Sequence, residues 1–96
     1  MRITPQERQV IREEAAQAFG EDAKVFLFGS RTDDAKRGGD IDLFIEVNNK
    51  EGLHEKETKF LSRVKWRTED QRIDVVFNED PNRLIEQEAR KWSIPI

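Results

Sequence analysis

Apolar residues recur along this chain at two spacings, and the change between them marks the predicted elements. The first apolar block has the spacing of a helix and consists of Ile11, Ala15, Ala18 and Phe19. Three residues mark the start of this helix. Thr4 can cap it, Pro5 suits the first helical position, and Glu7 lies where a capping box places it. Since Gly20 is a natural stop, we predict a first helix between Thr4 and Gly20.

Three later segments are short and β-prone. Lys24 to Phe28 is apolar and predicts a buried strand, whereas Asp40 to Val47 and Arg72 to Phe77 alternate with the period of two that a strand produces. The second strand carries on one face Ile41, Leu43, Ile45 and Val47, and on the other Asp40, Asp42, Phe44 and Glu46. The third strand directs Asp74 away from the face shared by Ile73, Val75 and Phe77.

Two more helices complete the predicted order. The second helix has one apolar face, made by Leu53, Phe60, Leu61 and Val64. The last helix is predicted to be capped by Asp80-Pro81 and to face inward with Leu84, Ile85, Ala89 and Trp92. Trp66 and Trp92 are predicted to be core or edge packing residues. The order helix, strand, strand, helix, strand, helix is typical of a small α/β or α+β domain with helices packed on one short sheet, and it leaves the strand directions open.

Composition narrows the class of protein. With 96 residues, we expect one domain spanning residues 1–96. The net charge is -3, so a general affinity for nucleic-acid backbone is not expected. The absence of cysteine excludes disulfides and cysteine-ligated metal. No apolar run approaches the roughly 18 residues of a membrane span, and residues 1–5 lead into a charged helix, so we expect a cytoplasmic protein.

The second strand carries the first candidate chemistry. Asp40 and Asp42 point the same way with Cα atoms about 6.5 to 7 Å apart, so their carboxylates can converge on one hard cation such as Mg²⁺. If the third strand lies beside the second, Asp74 completes the cluster. A second metal ion then becomes feasible, and the two ions could clamp the attacking and leaving oxygens of a phosphoryl substitution.

The turn after the first strand supplies the second candidate feature. Gly29 lets the backbone approach a ligand closely, and Ser30 adds a hydroxyl donor at a turn whose N–H groups favour anions. Arg31, Lys36 and Arg37 lie in the same loop and could neutralise a triphosphate. Alone, a Gly-Ser pair is usually a turn and Asp-x-Asp a polar strand face. Their combination with a third strand-borne aspartate is harder to dismiss.

These residues together resemble the polymerase-β-type nucleotidyltransferase superfamily, and most closely its minimal nucleotidyltransferases, the MNT domains. The matching string is Gly29-Ser30, nine residues, and Asp40-x-Asp42, with Asp74 on a later strand. Many members have ten residues in that loop, and Gly38-Gly39 can absorb the shorter length.

The resemblance has implications for fold, ligands and reaction. It implies a palm-like mixed sheet, two Mg²⁺ ions on Asp40, Asp42 and Asp74, and a triphosphate on Gly29 and Ser30, with Arg31 beside them. Asp74 would also help to activate the acceptor hydroxyl. The reaction would be transfer of a nucleoside monophosphate with release of pyrophosphate.

The same resemblance suggests a partner. MNT domains are often encoded beside a HEPN-domain protein, so the implied acceptor is a HEPN-domain toxin, adenylylated from ATP on a hydroxyl and thereby silenced. The chain would then be the antitoxin. The alternative is a non-catalytic binding module that inhibits its partner by forming a complex. Modification of a small molecule is the weakest reading, because the chain lacks residues for an acceptor pocket.

Two surfaces and the oligomeric state stay open. A basic stripe at helical spacing consists of Lys56, Lys59, Arg63 and Arg67. It is either a solvated flank whose stems cover apolar surface or a contact for an anionic partner. The tail, with Ile94 and Ile96, either folds back on the sheet or belongs to an interface. His54, the only histidine, is predicted to be exposed.

Overall fold

The computed structural model describes residues 3–28, 41–68 and 72–96, and in these residues three helices accompany one four-stranded sheet. The elements in chain order are α1 (Pro5–Phe19), β1 (Lys24–Phe28), β2 (Ile41–Glu46), α2 (Leu53–Arg67), β3 (Ile73–Phe77), α3 (Leu84–Trp92) and β4 (Ile94–Pro95). The six predicted elements are confirmed in their predicted order, and the α+β class with them. The short β4 was not predicted.

The ends of α1 follow the local sequence. Thr4 Oγ1 accepts the N–H of Glu7 at 3.0 Å, and Glu7 Oε1 accepts the N–H of Thr4 at 2.8 Å, which is the predicted capping box. Gly20 ends the helix with φ 102°, a conformation that glycine adopts without the strain that a Cβ would cause, and donates its N–H to Ala16 O.

The sheet is mixed, with strand order β3-β2-β1-β4. The central pair, β2 and β3, is parallel, and β1 lies antiparallel to both β2 and β4. A parallel pair needs a crossover connection, and α2 supplies it. The strand directions that chain order had left open are therefore parallel for β2 and β3, which this crossover joins, and antiparallel for β1 and β2.

The main core lies between the sheet and the two longer helices. Phe19 of α1 is its aromatic centre, with ring centroids 5.5 Å from Phe60 and 5.3 Å from Phe77. The buried residues of this core are Val10, Ile11, Ala15, Phe19, Leu27, Ile41, Leu43, Ile45, Val47, Phe60, Val64 and Phe77. These include most of the positions that the two periodicities predicted to be apolar and inward-facing.

The opposite face of the sheet holds a second, smaller cluster. It consists of Phe28, Phe44, Val76 and Ala89, with Phe26 packed against it. Phe44 was predicted on the polar face of β2, yet only 2% of its surface is exposed. The reason is tertiary, because α3 packs on this face and its Ala89 joins the same cluster as Phe44.

The orientation of α3 corrects two predictions. The helix begins at Leu84 with Arg83 as its N-cap, so the predicted Asp80-Pro81 cap is wrong. Leu84 and Ile85 are 79% and 46% exposed, so their predicted inward placement is wrong, whereas Ala89 is buried as predicted.

A buried glutamate accounts for the face that α3 directs toward the sheet. Glu86 accepts the N–H of Asp80 at 2.8 Å and the guanidinium of Arg90 at 2.8 Å, and it is fully buried. Burial alone raises the pKa of Glu86, but the hydrogen bonds from Arg90 and from the Asp80 backbone outweigh it and lower that pKa.

Trp66 is 89% exposed on α2, so its predicted packing role is wrong. Its neighbours Val64 and Phe60 already fill the face of α2 that meets the sheet. The side chain of Trp92 lies outside what the structure describes.

The tail folds back on the sheet. In β4, Ile94 pairs with Leu27 and Pro95 with Phe26, and the Ile96 N–H donates to Val25 O at 3.1 Å. Ile96 packs against the main core. Of the two readings of this tail, the structure therefore supports packing on the sheet.

Two members of the basic stripe clamp α1 to α2. Arg63 Nε and an Arg67 terminal nitrogen bind the carboxylate oxygens of Glu14 at 2.7 and 2.9 Å, and Arg67 also reaches Glu13 at 2.8 Å. Burial alone raises the pKa of Glu14, but the hydrogen bonds from Arg67 and Arg63 outweigh it and hold that pKa below its ordinary value. These two arginines therefore form ion pairs between α1 and α2.

Candidate active site

Asp42 and Asp74 occupy register-matched positions on neighbouring strands. They are Cα partners in the parallel pair of β2 and β3, where adjacent strands lie about 4.8 Å apart. Leu43 and Val75, the next residues, belong to or pack against the main core, so alternation turns both carboxylates toward the opposite face. The third strand does lie beside the second, which is the condition under which the sequence analysis made Asp74 part of the cluster.

The end of β1 lies on the other side of Asp42. Phe28, the last residue of β1, is the cross-strand partner of Asp42. The next residues in the chain are Gly29 and Ser30, the predicted phosphate-binding pair. Gly29, Ser30, Arg31 and Asp40 lie outside the described residues, so their predicted roles stay predictions. The described strands place the end of β1, after which Gly29 and Ser30 follow in the sequence, beside Asp42.

The two carboxylates lie next to the smaller apolar cluster on the same face of the sheet. Two residues further along each strand, Phe44 and Val76 share their face and pack under α3 with Phe28. The Arg90 guanidinium lies 5.3 Å from the centroid of the Phe44 ring. α3 covers this cluster, whereas the side chain of Asp74 lies outside it and is 52% exposed.

Arg72 is a site residue that the sequence analysis did not single out. Its Nε lies 3.9 Å from Asp74 Oδ1, and its side chain is 75% exposed. Its carbonyl oxygen accepts the N–H of Ile41 at 2.9 Å, which fixes the start of β3 against β2. The signal available in the sequence was the spacing, because residues at i and i+2 of a strand share one face.

The donor set fits a hard cation. Asp42 and Asp74 contribute two carboxylates on one face, and Mg²⁺ binds through one or two carboxylates plus substrate phosphate. Within residues 3–28, 41–68 and 72–96, no group of three His, Cys, Asp or Glu side chains could hold a metal ion. The predicted third ligand, Asp40, lies outside these ranges, immediately before β2.

Glu46 does not belong to this carboxylate pair. It lies four residues from Asp42 along β2, roughly 13 Å at the rise of a strand. Its cross-strand partner is Lys24, and its carboxylate is 3.9 Å from Arg90. Glu46 therefore lies opposite Lys24 and near Arg90, away from the Asp42–Asp74 pair.

An open groove of about 960 Å³ lies at the other edge of the sheet, between α1 and the β1–β4 pair. Its lining includes Arg8, Arg12, Lys24, Phe26 and Ile96. The strand order places it two strands away from β3. This groove is therefore distinct from the Asp42–Asp74 site.

No helix in the described part of the chain is both long and apolar enough to cross a membrane.

Comparisons with known proteins bear on this geometry. A search of curated proteins found no match. The family model of the nucleotidyltransferase domain matches residues 8–94, a span that includes every described strand except the last residue of β4. The chain therefore belongs to the nucleotidyltransferase domain family, whose general activity is nucleotidyl transfer.

Proposed function

We propose that this nucleotidyltransferase uses Mg²⁺ to transfer a nucleoside monophosphate, AMP from ATP, to a hydroxyl group of a partner protein. The observation that carries the proposal is the register match of Asp42 and Asp74 on the face of the sheet opposite the main core. Family membership supports the transfer chemistry. The protein acceptor and the choice of ATP rest on the resemblance to minimal nucleotidyltransferases.

Each residue has a role in this proposal. Asp42 and Asp74, together with Asp40, would hold the metal. Mg²⁺ held there would supply positive charge to offset the negative charge of the phosphates. Gly29 and Ser30, with Arg31 beside them, bind the triphosphate through backbone N–H groups, a hydroxyl and a cation.

The reaction balances with the groups named. The acceptor oxygen attacks the α-phosphorus of ATP, and a new phosphorus–oxygen bond forms as the bond to the bridging oxygen of the β-phosphate breaks. Pyrophosphate leaves with that oxygen. Asp74, with an exposed carboxylate, accepts the proton of the acceptor hydroxyl and passes it to solvent.

The proposed acceptor is a HEPN-domain protein encoded nearby, which the chain would silence as its antitoxin. The position of Asp74 supports a protein-sized acceptor. Because β3 is the outermost strand on its side of the sheet, no further described strand stands between Asp74 and a large substrate approaching from that edge.

The test is transfer of label from α-labelled ATP, in Mg²⁺, to the neighbouring HEPN-domain protein. We expect Asp74→Asn to lose at least about 100-fold of the transfer rate, because it weakens both the metal site and the base. Glu88→Gln is the matched control, since it removes one exposed carboxylate of α3 without touching this face. Equal labelling by wild type and Asp74→Asn would contradict the proposal.

A second candidate is the non-catalytic binding module. The observation in its favour is Trp66, since tryptophan is a preferred anchor in protein interfaces and this one is 89% exposed. In that case the chain inhibits its partner at one-to-one stoichiometry without ATP, and Trp66→Ala weakens the inhibition while Asp74→Asn does not. Substoichiometric inhibition that needs ATP and Mg²⁺ would exclude this candidate.

A further inference from the structure

The groove between α1 and the β1–β4 pair is lined by cations that the fold leaves without acidic partners. Arg8, Arg12 and Lys24 contribute to its lining, and all three are exposed. Lys24 is the cross-strand partner of Glu46, but the Glu46 carboxylate lies toward Arg90. In the part of the chain that the structure describes, no carboxylate forms an ion pair with any of the three cations. Their charge is therefore available to a ligand.

Two carboxylates also line the groove, and one of them already has a cationic partner. Glu13 binds Arg67 at 2.8 Å and accepts the side-chain N–H of Gln9 at 3.1 Å, whereas Glu21 is exposed. With Glu13 offset by Arg67, the lining carries three positive charges against one negative charge. The whole chain has a net charge of -3, which disfavours nucleic acid as a ligand. The groove is therefore complementary to a local acidic segment of a protein.

The spacing of the two arginines limits the shape of that segment. Arg8 and Arg12 are four residues apart in α1, so they share one helix face and their Cα atoms are about 6 Å apart along the axis. Side chains on one side of an extended chain recur every 6.5 to 7 Å or so. Carboxylates at alternate positions of an extended segment can therefore meet both guanidiniums, each in bidentate geometry.

The other wall of the groove is apolar. It includes Phe26 of β1 and, from the tail, Pro95 and Ile96. Phe26 and Ile96 are half-buried, so part of their apolar surface still meets solvent. Because neighbouring residues of an extended segment point in opposite directions, the residues between the acidic ones would face this wall. The two walls together fit a segment in which acidic and apolar side chains alternate.

The backbone of β4 does not invite an added strand. β4 is the last strand of the described sheet on this side, and the Ile96 N–H donates to Val25 O. In an antiparallel pair, successive residues direct their backbone groups alternately toward and away from the neighbouring strand. Pro95 therefore occupies the outward position, where it has no N–H to offer, and proline blunts an edge in this way. Recognition at this edge must come from side chains.

From these observations we propose that the groove docks an extended acidic segment of the partner protein. Acidic side chains at alternate positions bind Arg8 and Arg12, and the apolar side chains between them pack on Phe26 and Ile96. This docking site is separate from the transfer chemistry, because β4 and β3 are at opposite edges of the sheet, roughly 14 Å apart. The choice of the HEPN-domain protein as that partner rests on the proposed function.

The experiment measures docking and transfer separately. Fluorescence anisotropy follows binding of the labelled HEPN-domain protein to the full chain without ATP, and label transfer from ATP is measured against the concentration of that protein. We expect the double variant Arg8→Gln with Arg12→Gln to raise the Kd about tenfold, a change of about 1.4 kcal/mol. The KM for the protein should rise by a similar factor, with kcat and the KM for ATP unchanged. Added salt should weaken wild-type binding, because exposed charges are screened.

The double variant Lys56→Gln with Lys59→Gln is the control, since it removes two positive charges from α2, outside the groove. We expect it to bind like wild type. A peptide in which glutamate alternates with valine should displace the HEPN-domain protein. A peptide of the same composition with its glutamates grouped should need an at least roughly tenfold higher concentration, because it cannot meet both walls at once.

Three outcomes overturn the inference: no binding by wild type, equal Kd values for wild type and the arginine variant, or equal losses in the arginine and lysine variants. Tighter binding of a single-stranded RNA than of the alternating peptide, lost with the same two arginines, would also overturn it. In each case, label transfer by wild type would leave the proposed function standing. Binding that depends on Arg8 and Arg12 without any label transfer would contradict the proposed function alone.

Discussion

Asp42 and Asp74 show how single residues acquire a role through their strand positions. Each alternates with core residues, so the main core directs both carboxylates to the opposite face. The sequence analysis named both from this alternation. It missed Arg72, although the spacing of two residues to Asp74 places both on one face of the strand.

At the residue scale, the buried Glu14 gives a pH prediction. Its folded pKa is below its ordinary value of 4.5, so its stabilisation is fully present above that value and is lost as the pH falls through the lower, folded pKa. We expect the free energy of unfolding to fall below about pH 4.5 more steeply in wild type than in Glu14→Gln. Urea unfolding at several pH values between neutral and acidic measures the difference. Parallel curves for the two proteins would contradict it.

At the element scale, α3 shows that burial depends on which face of a helix meets the sheet. The sequence favours Leu84 and Ile85 as inward residues, yet the structure buries Glu86 and Ala89. Glu86 is held because it accepts hydrogen bonds from Arg90 and from the Asp80 backbone. A fully partnered carboxylate replaces the apolar contact that periodicity predicts.

Because of the orientation of α3, we expect replacing its buried glutamate to cost more free energy of unfolding than replacing its first leucine, although hydrophobicity alone predicts the reverse. Glu86→Ala leaves the Asp80 N–H and Arg90 without their partner, so we expect it to lower the free energy of unfolding by about 2 to 4 kcal/mol. Leu84→Ala, at a position 79% exposed, should change it by less than about 0.5 kcal/mol. Urea titrations of both variants at neutral pH measure this. A larger loss for Leu84→Ala would mean that α3 packs through its apolar residues.

At the scale of the whole molecule, the main core and the candidate site lie on opposite faces of one sheet. Its α1–α2 face holds the main core, and its other face is divided between the cluster under α3 and the open carboxylates. The outermost strand β3 carries Asp74 and Arg72 to an accessible edge. Ligand binding at this edge should therefore stabilise the fold without rearranging its core.

This linkage predicts a thermal shift. If Mg²⁺ and ATP bind only the folded chain, a concentration of 100 times Kd adds about 2.7 kcal/mol, which should raise the Tm by roughly 10 °C or more in a domain of this size. We expect Asp42→Asn to lose most of this shift, because the variant removes one of the proposed ligands. Differential scanning calorimetry with and without Mg²⁺ and a non-hydrolysable ATP analogue measures it. Identical shifts in both proteins would place nucleotide binding away from Asp42.

The sequence by itself determined what depends on neighbours a few residues apart. The capping box at Thr4, the stop at Gly20 and the alternation in β2 and β3 are local, so they predicted the elements and the aspartate faces. The resemblance carried by Gly29-Ser30, Asp40-x-Asp42 and Asp74 also indicated the nucleotidyltransferase family, which the match over residues 8–94 confirms.

Only the tertiary structure decided what depends on residues far apart in the chain. The parallel pairing of β2 with β3 sets Asp42 against Asp74, and the packing of α3 buries Phe44 and Glu86 while leaving Leu84 exposed. The tail forms β4 only because β1 offers it a strand to pair with. Periodicity reports which residues of one element share a face, whereas packing between elements determines which faces are covered.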